Sequence, residues 1–523
     1  MSSILFNILI IALLRFYVSS TTNVTGANET ADSAAKFVFD EENVQTLVDD
    51  AIDYAHNVFL VARTSEKLDK SDYAQIVPFT LFPSPYPREM FKEAIDVAKA
   101  MSLLYFRVSR DFEFLKMVYK DVLELDESET IRNYMKICEE VLNEGIKQPM
   151  TIYLQRADYF VNVREDGAEK KYELKQIEVN GGSVGGANGI PTRIAKLHVR
   201  TLTKAGIPNL PEDVLPKNPN AKAGAAEALL HAWRLYKQKF THSNPIIVNL
   251  VLKAKSYWHF LKRYDEYEIE QLSKNNVKVT YVAWGECKRD LTMDDDFTLR
   301  LKGQAVAVFY TNIVITGVKF TPQDLETLKM IERSTAIKSL SLFYELSVSK
   351  KVQQTLSLPG MVERFFPDPK EAPMVDAIRK TFARMWGLEN DDQETREIIA
   401  DAIAHPERYV MKPNREGGGK NFWNQDIVDK LRNLAPNERA AYILMEKLNP
   451  LTVKNFLVWP FKEVVYDDVV AELGVYTFVV GNMQDGTVSH YAQPGHLVRT
   501  KLASSNEGGI STGTGAFDSV YLH

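Results

Sequence analysis

Cysteine is nearly absent from the sequence, and so is any recognisable zinc motif. The 523 residues include two cysteines, Cys138 and Cys287, which are too few for a disulfide framework or a cysteine-rich zinc site. The nine histidines form no HExxH pair and show no other spacing typical of a zinc site. These absences exclude the small disulfide-stapled scaffolds and the zinc enzymes that can be recognised from sequence.

The chain also lacks a strong charge of either sign. Its 63 lysines and arginines against 69 aspartates and glutamates give a formal charge of −6, and no long basic run occurs. A dedicated nucleic-acid binder or a binder of anionic membranes is therefore not expected. Hydrophobic residues at 45% and charged residues at 25% are typical of globular proteins. The length is typical of about two to four domains.

Long apolar runs are missing as well, apart from a short one at the N-terminus. Ile4–Leu14 is too short to cross a bilayer, which takes about 20 residues as a helix. The run is typical of a signal-peptide core, and Val18 and Ser20 suit a cleavage site. We predict a signal peptide over residues 1–20 and a secreted protein. The alternative is a buried N-terminal helix. Two glycosylation sequons follow, at Asn23 and Asn28.

The hydrophobic pattern divides the rest of the chain into regions. A polar linker at residues 21–36 precedes a region of mainly helical periodicity that continues to about residue 147. Within that region, Pro78–Pro85 is predicted to be a proline-bounded turn. Residues 245–320 have a strand–helix–strand pattern, which predicts a small α/β subdomain. The predicted strands are Pro149–Leu154, Glu173–Val179, Ile246–Leu252, Val277–Trp284, Ala305–Tyr310, Tyr409–Lys412, Tyr442–Glu446, Val469–Val480 and His490–Ala492.

Two oxygen-bearing side chains stand at the end of the second of these strands. Glu178 and Asn180 are two residues apart, so both side chains lie on one face of the strand. A carboxylate and an amide oxygen are hard ligands that suit Mg²⁺. Taken alone, the pair is more typical of a polar strand end at a turn.

A glycine-rich segment follows a later strand. Lys412 ends that strand, and Gly417–Gly419 allow a ligand to approach the backbone closely. Successive backbone N–H groups in such a loop can bind phosphate, and Glu416 can reach a metal ion bound to it. The segment is not a P-loop, because no Gly-Lys-Ser/Thr follows. The alternative is an exposed glycine turn. Arg499–Lys501 and the glycine-rich residues 507–513 add further cations and a second loop.

Together these motifs resemble eukaryotic glutathione synthetase. The resemblance covers residues 37–523, and the segments that carry it in chain order are Pro78–Ser84, Lys175–Asn180, Lys350–Gln354, Lys412–Gly419, Tyr442–Lys447, Gly495–Lys501 and Glu507–Gly509. It implies an α/β (α+β) fold of the ATP-grasp type with an inserted α/β substrate-binding subdomain. The implied parts are 37–244, the subdomain at 245–349 and the ATP-binding part at 350–523. With its signal peptide, the chain resembles the secreted glutathione-synthetase-like effectors of plant-parasitic nematodes.

The resemblance also implies roles for individual residues, with ATP and Mg²⁺ as cofactors. The implied metal ligands are Glu178, Asn180 and Glu416. The implied phosphate-binding residues are Lys350, Lys412, Gly417, Gly418, Gly419, Asn421 and Lys501. The residues implied to line the nucleotide are Trp423, Met445, Glu446, Lys447, Leu448, Glu472 and Glu507. The implied substrate residues are Arg156, Gly182, Ser183, Val184, Gly185, Thr311, Val314, Arg499, Ile510 and Ser511. Among all of these, Arg156, Lys350, Lys412 and Arg499 are the implied catalytic residues.

The departures from the family pattern fall on the substrate side. Where the family has an Arg-x-Gly-Tyr element for the γ-glutamyl group, this chain has Thr311–Val314. The polar set expected in the first subdomain helix is also absent, and Phe260, Lys262 and Glu266 stand near those places. The serine-rich loop after the metal strand keeps only Ser183. Losing one partner of a buried charged pair costs about 2–5 kcal/mol, so binding of γ-glutamylcysteine is in doubt.

Three functions follow from this pattern. The first is a carboxylate–amine ligase with an altered substrate, the second is an authentic glutathione synthetase, and the third is a catalytically silent binding effector. The expected partner is a small peptide or thiol, with no nucleic acid and no membrane, and the family implies a homodimer. Because ATP and reduced thiols are abundant inside cells, a secreted ligase is expected to act in the cytoplasm of a host cell. The low cysteine content agrees with that location.

Overall fold

A computed structural model describes residues 41–125, 128–166, 169–181, 189–216, 218, 223–251, 259–311, 320–414, 421–506, 508–510 and 513–523. The predicted signal peptide and linker lie outside these residues. Its α-helices are α1 (Glu41–Asn57), α2 (Arg88–Arg110), α3 (Phe112–Tyr119), α4 (Glu129–Glu144), α5 (Ile190–Lys204), α6 (Gly224–Lys239), α7 (His259–Ser273), α8 (Trp284–Asp290), α9 (Pro322–Arg333), α10 (Leu342–Ser347), α11 (Lys350–Ser357), α12 (Ala372–Thr381), α13 (Gln393–Ala404) and α14 (Gln425–Asn433).

Within the described residues, the strands form one large sheet and three small ones. They are β1 (Val61–Arg63), β2 (Ala74–Ile76), β3 (Phe79–Thr80), β4 (Ser84–Tyr86), β5 (Met150–Asp166), β6 (Glu169–Gly181), β7 (Ile246–Val251), β8 (Val279–Ala283), β9 (Leu291–Met293), β10 (Leu299–Leu301), β11 (Gln304–Thr311), β12 (Ile337–Ser339), β13 (Met385–Gly387), β14 (Tyr409–Pro413), β15 (Tyr442–Glu446), β16 (Thr452–Val458), β17 (Val465–Asn482), β18 (Val488–Leu502), β19 (Gly515–Asp518) and β20 (Val520–Leu522).

The large sheet has 13 strands and mixed direction. Strands β6, β5, β17 and β18 are neighbours in that order and pair antiparallel. Beyond them, β12 pairs parallel with both β5 and β11, and β7 pairs parallel with β11 and β8. Residues 245–349 therefore add their strands to the same sheet that carries β5 and β6.

Alternation along the strands fills a core on each face of this sheet. In β5, Ile152 and Leu154 join one apolar cluster, while Tyr153 joins the other. Helix α2 covers one face with a stripe of buried side chains at helical spacing, which includes Ala94, Val97, Met101, Leu104 and Val108. Strands β5 and β17 are thus mostly buried on both faces.

A separate three-stranded sheet, in the order β13, β15, β14, stands against the large one. Met411 and Leu444 on one of its faces belong to the main core. On the other face, Ile443 and Met445 form a small apolar cluster with Met385.

The strands predicted from the sequence are confirmed, but most are longer than predicted, as β5 and β17 illustrate. The prediction for the region before residue 147 was incomplete, because β1 and β2 pair there as a small antiparallel sheet. The turn predicted at Pro78–Pro85 was too long. In the structure the chain bends between residues 81 and 83. The residues before the bend form β3 and those after it form β4, and these strands pair with β19 and β20 from the C-terminus. These pairings are distant in sequence, so local signals do not predict them.

The two cysteines are free and buried. Burial raises the pKa of Cys287 to about 12, so its thiol is unreactive at neutral pH. Among the helices in the described ranges, none is long and apolar enough to cross a membrane.

Candidate active site

Strand register brings the predicted site residues together on one face of the large sheet. Between β5 and β6, Arg156 lies opposite Asn180, and Asp158 lies opposite Glu178. Between β5 and β17, Asp158 lies opposite Gly474. Directly opposed residues of antiparallel strands share a face, and the two-residue spacing keeps these side chains on that same face.

Asp158 is the centre of the resulting cluster, and the sequence analysis missed it. Its carboxylate is fully buried. It accepts hydrogen bonds from Arg156 Nε at 2.6 Å and Arg156 Nη2 at 2.9 Å. It also accepts from Arg499 Nη2 at 2.9 Å and from Asn180 Nδ2 at 2.8 Å. Two predicted substrate arginines are therefore held by one buried acid. The signal available in the sequence was its position two residues after Arg156.

Gly474 provides the space for this cluster. A Cβ atom at this position would lie 2.7 Å from Arg156 Cδ and 2.7 Å from Asp158 Oδ1. Such distances are shorter than any van der Waals contact, so a side chain there would displace the ion pair. A glycine is therefore required at this strand position because the Arg156–Asp158 pair occupies the space of a side chain.

Glu472 and Arg499 face each other across β17 and β18. The Arg499 guanidinium donates a hydrogen bond to the Glu472 carboxylate. Burial raises the pKa of Glu472 above its ordinary value; Arg499 opposes this effect, while Asp158 and Glu178 add to it. Glu472, predicted to line the nucleotide, thus has Arg499 as its direct partner in this structure.

Glu178 is an ionised carboxylate surrounded by positive charge. Loss of hydration would raise its pKa, but the charges of Lys350, Lys412 and Arg499 overcome that effect and lower the pKa to about 2. Asn180 Nδ2 donates to Glu178 Oε1 at 3.1 Å. Lys350 and Lys412 bring positive charge to this carboxylate, and positive charge at such a position suits anionic oxygens such as those of phosphates. Arg499 is shared with Asp158 and Glu472.

The oxygen atoms of Glu178 and Asn180 are ligands that fit Mg²⁺. Asn180 uses its amide nitrogen for both Asp158 and Glu178, which leaves its Oδ1 as a possible ligand atom beside the Glu178 carboxylate. The third predicted ligand, Glu416, lies outside the described residues. Among the described residues, no group of three or more His, Cys, Asp or Glu side chains is arranged to hold a metal ion.

Two of the three predicted phosphate-binding lysines, Lys350 and Lys412, come from different elements. Lys350 begins α11, whose preceding residue Ser349 caps the helix by accepting a hydrogen bond from Val352 N at 3.2 Å. Lys412 ends the buried part of β14, and its Nζ donates to Ile177 O at 3.3 Å. Lys412 therefore joins the small sheet to β6, directly beside Glu178.

Lys501 lies on β18 two residues beyond Arg499. Its Nζ donates to Ser505 O at 2.7 Å and to Asn506 O at 2.9 Å. The lysine thus contacts the backbone immediately before the second glycine-rich segment. Ile510, within that segment, is partly buried against one of the two main cores.

The residues predicted to line the nucleotide lie mainly on the small sheet. Met445 is buried against Met385 and Ile443, with Leu448 at the edge of the same cluster. Ile443 lies opposite Lys412 on the neighbouring strand. The apolar cluster and the lysine therefore share a face, which would suit a base and its phosphates respectively.

Four further predicted residues lie on or next to the small sheet. Glu446 Oε1 accepts from the backbone N of Arg384 at 2.9 Å. Lys447 Nζ lies 6.0 Å from the centre of the Trp423 ring. Trp423 and Asn421 flank Phe422, which forms a β-bridge with β14, so both lie alongside Lys412. The Glu446 side chain is therefore hydrogen-bonded to the backbone next to β13.

The substrate side is only partly described. Thr311 is buried at the end of β11. Glu266 on α7 pairs with Arg263 at 3.2 Å, and burial raises its pKa. The predicted site residues outside the described ranges are Gly182, Ser183, Val184, Gly185, Val314, Glu416, Gly417, Gly418, Gly419, Glu507 and Ser511.

Comparison with known proteins identifies the family. The profile of the eukaryotic glutathione synthase ATP binding domain matches residues 41–522. The chain belongs to the eukaryotic glutathione synthetase family. It is 32% identical to glutathione synthetase of Xenopus laevis over 486 residues, which covers 92% of this chain and 98% of the relative. The human glutathione synthetase is 32% identical over 483 residues, with 92% and 98% covered.

Among solved structures, a glutathione synthetase-like effector from Globodera pallida, in its apo form, is similar to this chain. It has a TM-score of 0.73 and 32% sequence identity, and the match covers 92% of this chain and 98% of that one. The α/β fold class and the resemblance to the glutathione synthetase family are confirmed. The chain is a member of an ATP-binding ligase family of C–N bond-forming enzymes.

Proposed function

We propose that this protein is an ATP- and Mg²⁺-dependent carboxylate–amine ligase that acts on a small peptide or thiol other than γ-glutamylcysteine. The observation that carries the proposal is the grouping of Lys350, Lys412 and Arg499 around Glu178, with Lys412 Nζ 3.3 Å from Ile177 O on the same strand. Family membership supports the same class of reaction.

Glu178, Asn180 and Glu416 would hold Mg²⁺. The bound ion would neutralise phosphate charge during phosphoryl transfer. Lys350, Lys412, Lys501, Asn421 and the loop at 417–419 would hold the phosphate oxygens. The apolar face around Met445 would receive the base. These roles come from the family, and the close approach of Lys412 to β6 supports them.

The expected chemistry is the acyl-phosphate route of the family. A substrate carboxylate oxygen forms a bond to the γ-phosphorus while the bond from that phosphorus to the ADP oxygen breaks. The amine of the second substrate then attacks the acyl carbon, and phosphate leaves. The part of this chain is electrostatic: Lys350, Lys412 and Lys501 neutralise the charge that moves between the oxygens. Arg499 would hold a substrate carboxylate in the two-pronged geometry that arginine suits.

The altered substrate is proposed because of the sequence around Thr311–Val314, which lacks the arginine and tyrosine of the family element. Glu266, one of the residues near the expected polar set, is occupied with Arg263 in this structure. Arg156 remains, and Asp158 fixes its guanidinium through two hydrogen bonds. A substrate carboxylate could therefore still be bound while the γ-glutamyl contacts are replaced.

Location and assembly complete the proposal. Residues 1–20 would direct secretion, and the enzyme would act in the cytoplasm of a host cell as an effector. The similarity to an effector structure supports this place of action. The functional divisions would be 37–244, 245–349 and 350–523, and the family suggests a homodimer.

The nucleotide and metal part is tested by titrating the purified protein with the non-hydrolysable ATP analogue AMP-PNP in a calorimeter, with Mg²⁺ or with EDTA. The protein is expected to bind the analogue, and to bind it more tightly with Mg²⁺. Glu178→Gln is expected to lower the affinity in Mg²⁺ at least about tenfold and to abolish the difference between Mg²⁺ and EDTA.

Glu173→Gln is the matched control, because Glu173 lies on the same strand and forms its ion pair with Arg164, toward the far end of the hairpin. It is expected to leave the affinity and its Mg²⁺ dependence unchanged. An affinity that does not depend on Mg²⁺ in the wild type, or equal losses in the two variants, would contradict the proposed metal site.

A further inference from the structure

Asp518 is a buried carboxylate with no cationic partner among the described residues. It lies on β19 with 1% of its surface exposed. Its Oδ1 accepts from Ser84 N at 3.2 Å and from Ser519 N at 2.7 Å. Its Oδ2 accepts from Ser84 Oγ at 2.5 Å and from Thr500 Oγ1 at 2.6 Å. Four donors from three separate segments thus converge on one acid.

The segment Pro78–Ser84 ends at this acid. Asn455 on β16 extends the contact, because its Nδ2 donates to Ser84 Oγ at 3.2 Å and to Phe82 O at 2.9 Å. The proline-rich segment, for which the sequence predicted no structure beyond a turn and a family resemblance, therefore supplies two of the four hydrogen bonds to Asp518. A buried polar group of this kind is costly unless it is fully hydrogen-bonded.

Thr500 connects this network to the candidate active site. It is fully buried and lies between Arg499 and Lys501 on β18. Because side chains alternate along a strand, the Thr500 side chain points away from the face that carries Arg499 and Lys501. The hydrogen bond to Asp518 therefore holds β18 from the opposite face of the sheet, at the position between Arg499 and Lys501.

We infer that Asp518 is a positioning residue for Arg499 and Lys501, and that it acts through the hydroxyl of Thr500. This inference rests on the proposed function in so far as the two cations bind phosphate and carboxylate groups. The β18 backbone on its own pairs with β17 and β19 and could still shift its pleat slightly. The hydroxyl–carboxylate bond removes that freedom, and small displacements of binding groups are expensive in such sites.

The experiment uses Thr500→Val, which keeps the shape and strand preference of the residue but removes the hydroxyl. Two measurements are made on the full-length protein. Side-chain NMR of arginine, assigned with Arg499→Lys, follows the protection of the Arg499 guanidinium protons. Calorimetry follows the affinity for AMP-PNP with Mg²⁺. Thr500→Val is expected to lose the protection and to bind the analogue about tenfold more weakly. Thr500→Ser, which keeps the hydroxyl, is expected to restore both.

Thr477→Val is the matched control. Thr477 is buried on the neighbouring strand β17, and its hydroxyl has no hydrogen-bond partner among the described residues. The same chemical change there is expected to alter neither measurement. A guanidinium that stays protected in Thr500→Val would overturn the inference, and so would lost protection with unchanged affinity. If the wild type itself does not bind AMP-PNP, the proposed function fails, while the NMR comparison still decides whether Asp518 positions Arg499.

Discussion

The carboxylate of Asp158 holds the guanidinium of Arg156 through two hydrogen bonds, at 2.6 and 2.9 Å, although both residues lie on the same strand. The carboxylate is fully buried, and the arginine side chain is almost so. Side-chain pairs at this spacing normally lie parallel and face solvent or core together. Here the arginine bends back over its neighbour, and this fixes its direction before any substrate arrives.

Asp158→Asn is expected to lower the free energy of unfolding by about 3–5 kcal/mol. The asparagine amide would bring a donor to the position where Oδ2 now accepts from Arg156, Arg499 and Asn180. Urea unfolding measures the effect. Asp467→Asn, which changes an exposed residue near Lys454, is the control and is expected to stay within about 0.5 kcal/mol of the wild type. A loss of similar size in both variants would contradict the stabilising role of the buried Asp158 cluster.

Gly474→Ala is expected to destabilise the protein by about 1–3 kcal/mol, because the added methyl group would overlap the Arg156–Asp158 pair. The control is Gly285→Ala on α8, where an added Cβ meets nothing within 4 Å. That change is expected to be neutral or slightly stabilising, since alanine favours helix more than glycine. Thermal unfolding of both variants measures the two effects. Tolerance of alanine at Gly474 would contradict the packing described here.

The stability of the protein is expected to carry a pH-dependent contribution from Asp518. Burial raises its pKa to about 6, from an ordinary value of 3.8. The folded state therefore binds this proton more tightly than the unfolded state, so the contribution is complete below about pH 4 and is lost as the pH rises through 6. The loss amounts to about 3 kcal/mol.

Urea unfolding at pH 4, 5, 6 and 7 tests this contribution in the wild type and in Asp518→Asn. The variant cannot titrate at this position. As the pH rises from 4 to 7, the unfolding free energy of the wild type is therefore expected to fall relative to that of Asp518→Asn. A difference that is constant between pH 4 and pH 7 would mean that Asp518 keeps the same ionisation in both states.

The N-terminus is expected to be removed during secretion. Expression of the full sequence in a eukaryotic secretory host, followed by mass spectrometry of the secreted product, should give a chain that begins at Thr21. Retention in the cytoplasm with Met1 in place would contradict the predicted signal peptide. Leu9→Arg interrupts the apolar run and is expected to abolish secretion.

Much of this site could be predicted from short-range pattern. The alternation in β6 put Glu178 and Asn180 on one face, as the strand register confirms. The phosphate loop at 417–419 lies outside the described residues and stays a prediction. The contact between Glu472 and Arg499 could not be predicted in the same way, since it depends on the register of two long strands. Asp158 stands in no motif, and its importance follows only from the convergence of two strands on it.

The fold shows the same limit. Helices such as α2 carry their own periodicity and were predictable, whereas β1 and β2 are short and stabilised by pairing with each other. The strands around Pro78–Ser84, β3 and β4, are equally short, and they exist because β16 and the C-terminal strands pair with them. Sequence patterns predict elements that satisfy their own hydrogen bonds, and they miss those that depend on a distant partner.

The most direct measurement is ADP release by the purified protein with ATP and Mg²⁺, first with γ-glutamylcysteine and glycine and then with a panel of thiol peptides and amines. Mass spectrometry identifies each product, and Glu416→Gln serves as the blank. We predict ADP release coupled to a ligated product other than glutathione. Glutathione as the main product would contradict the altered substrate, and no ADP from any pair, despite nucleotide binding, would contradict the ligase itself.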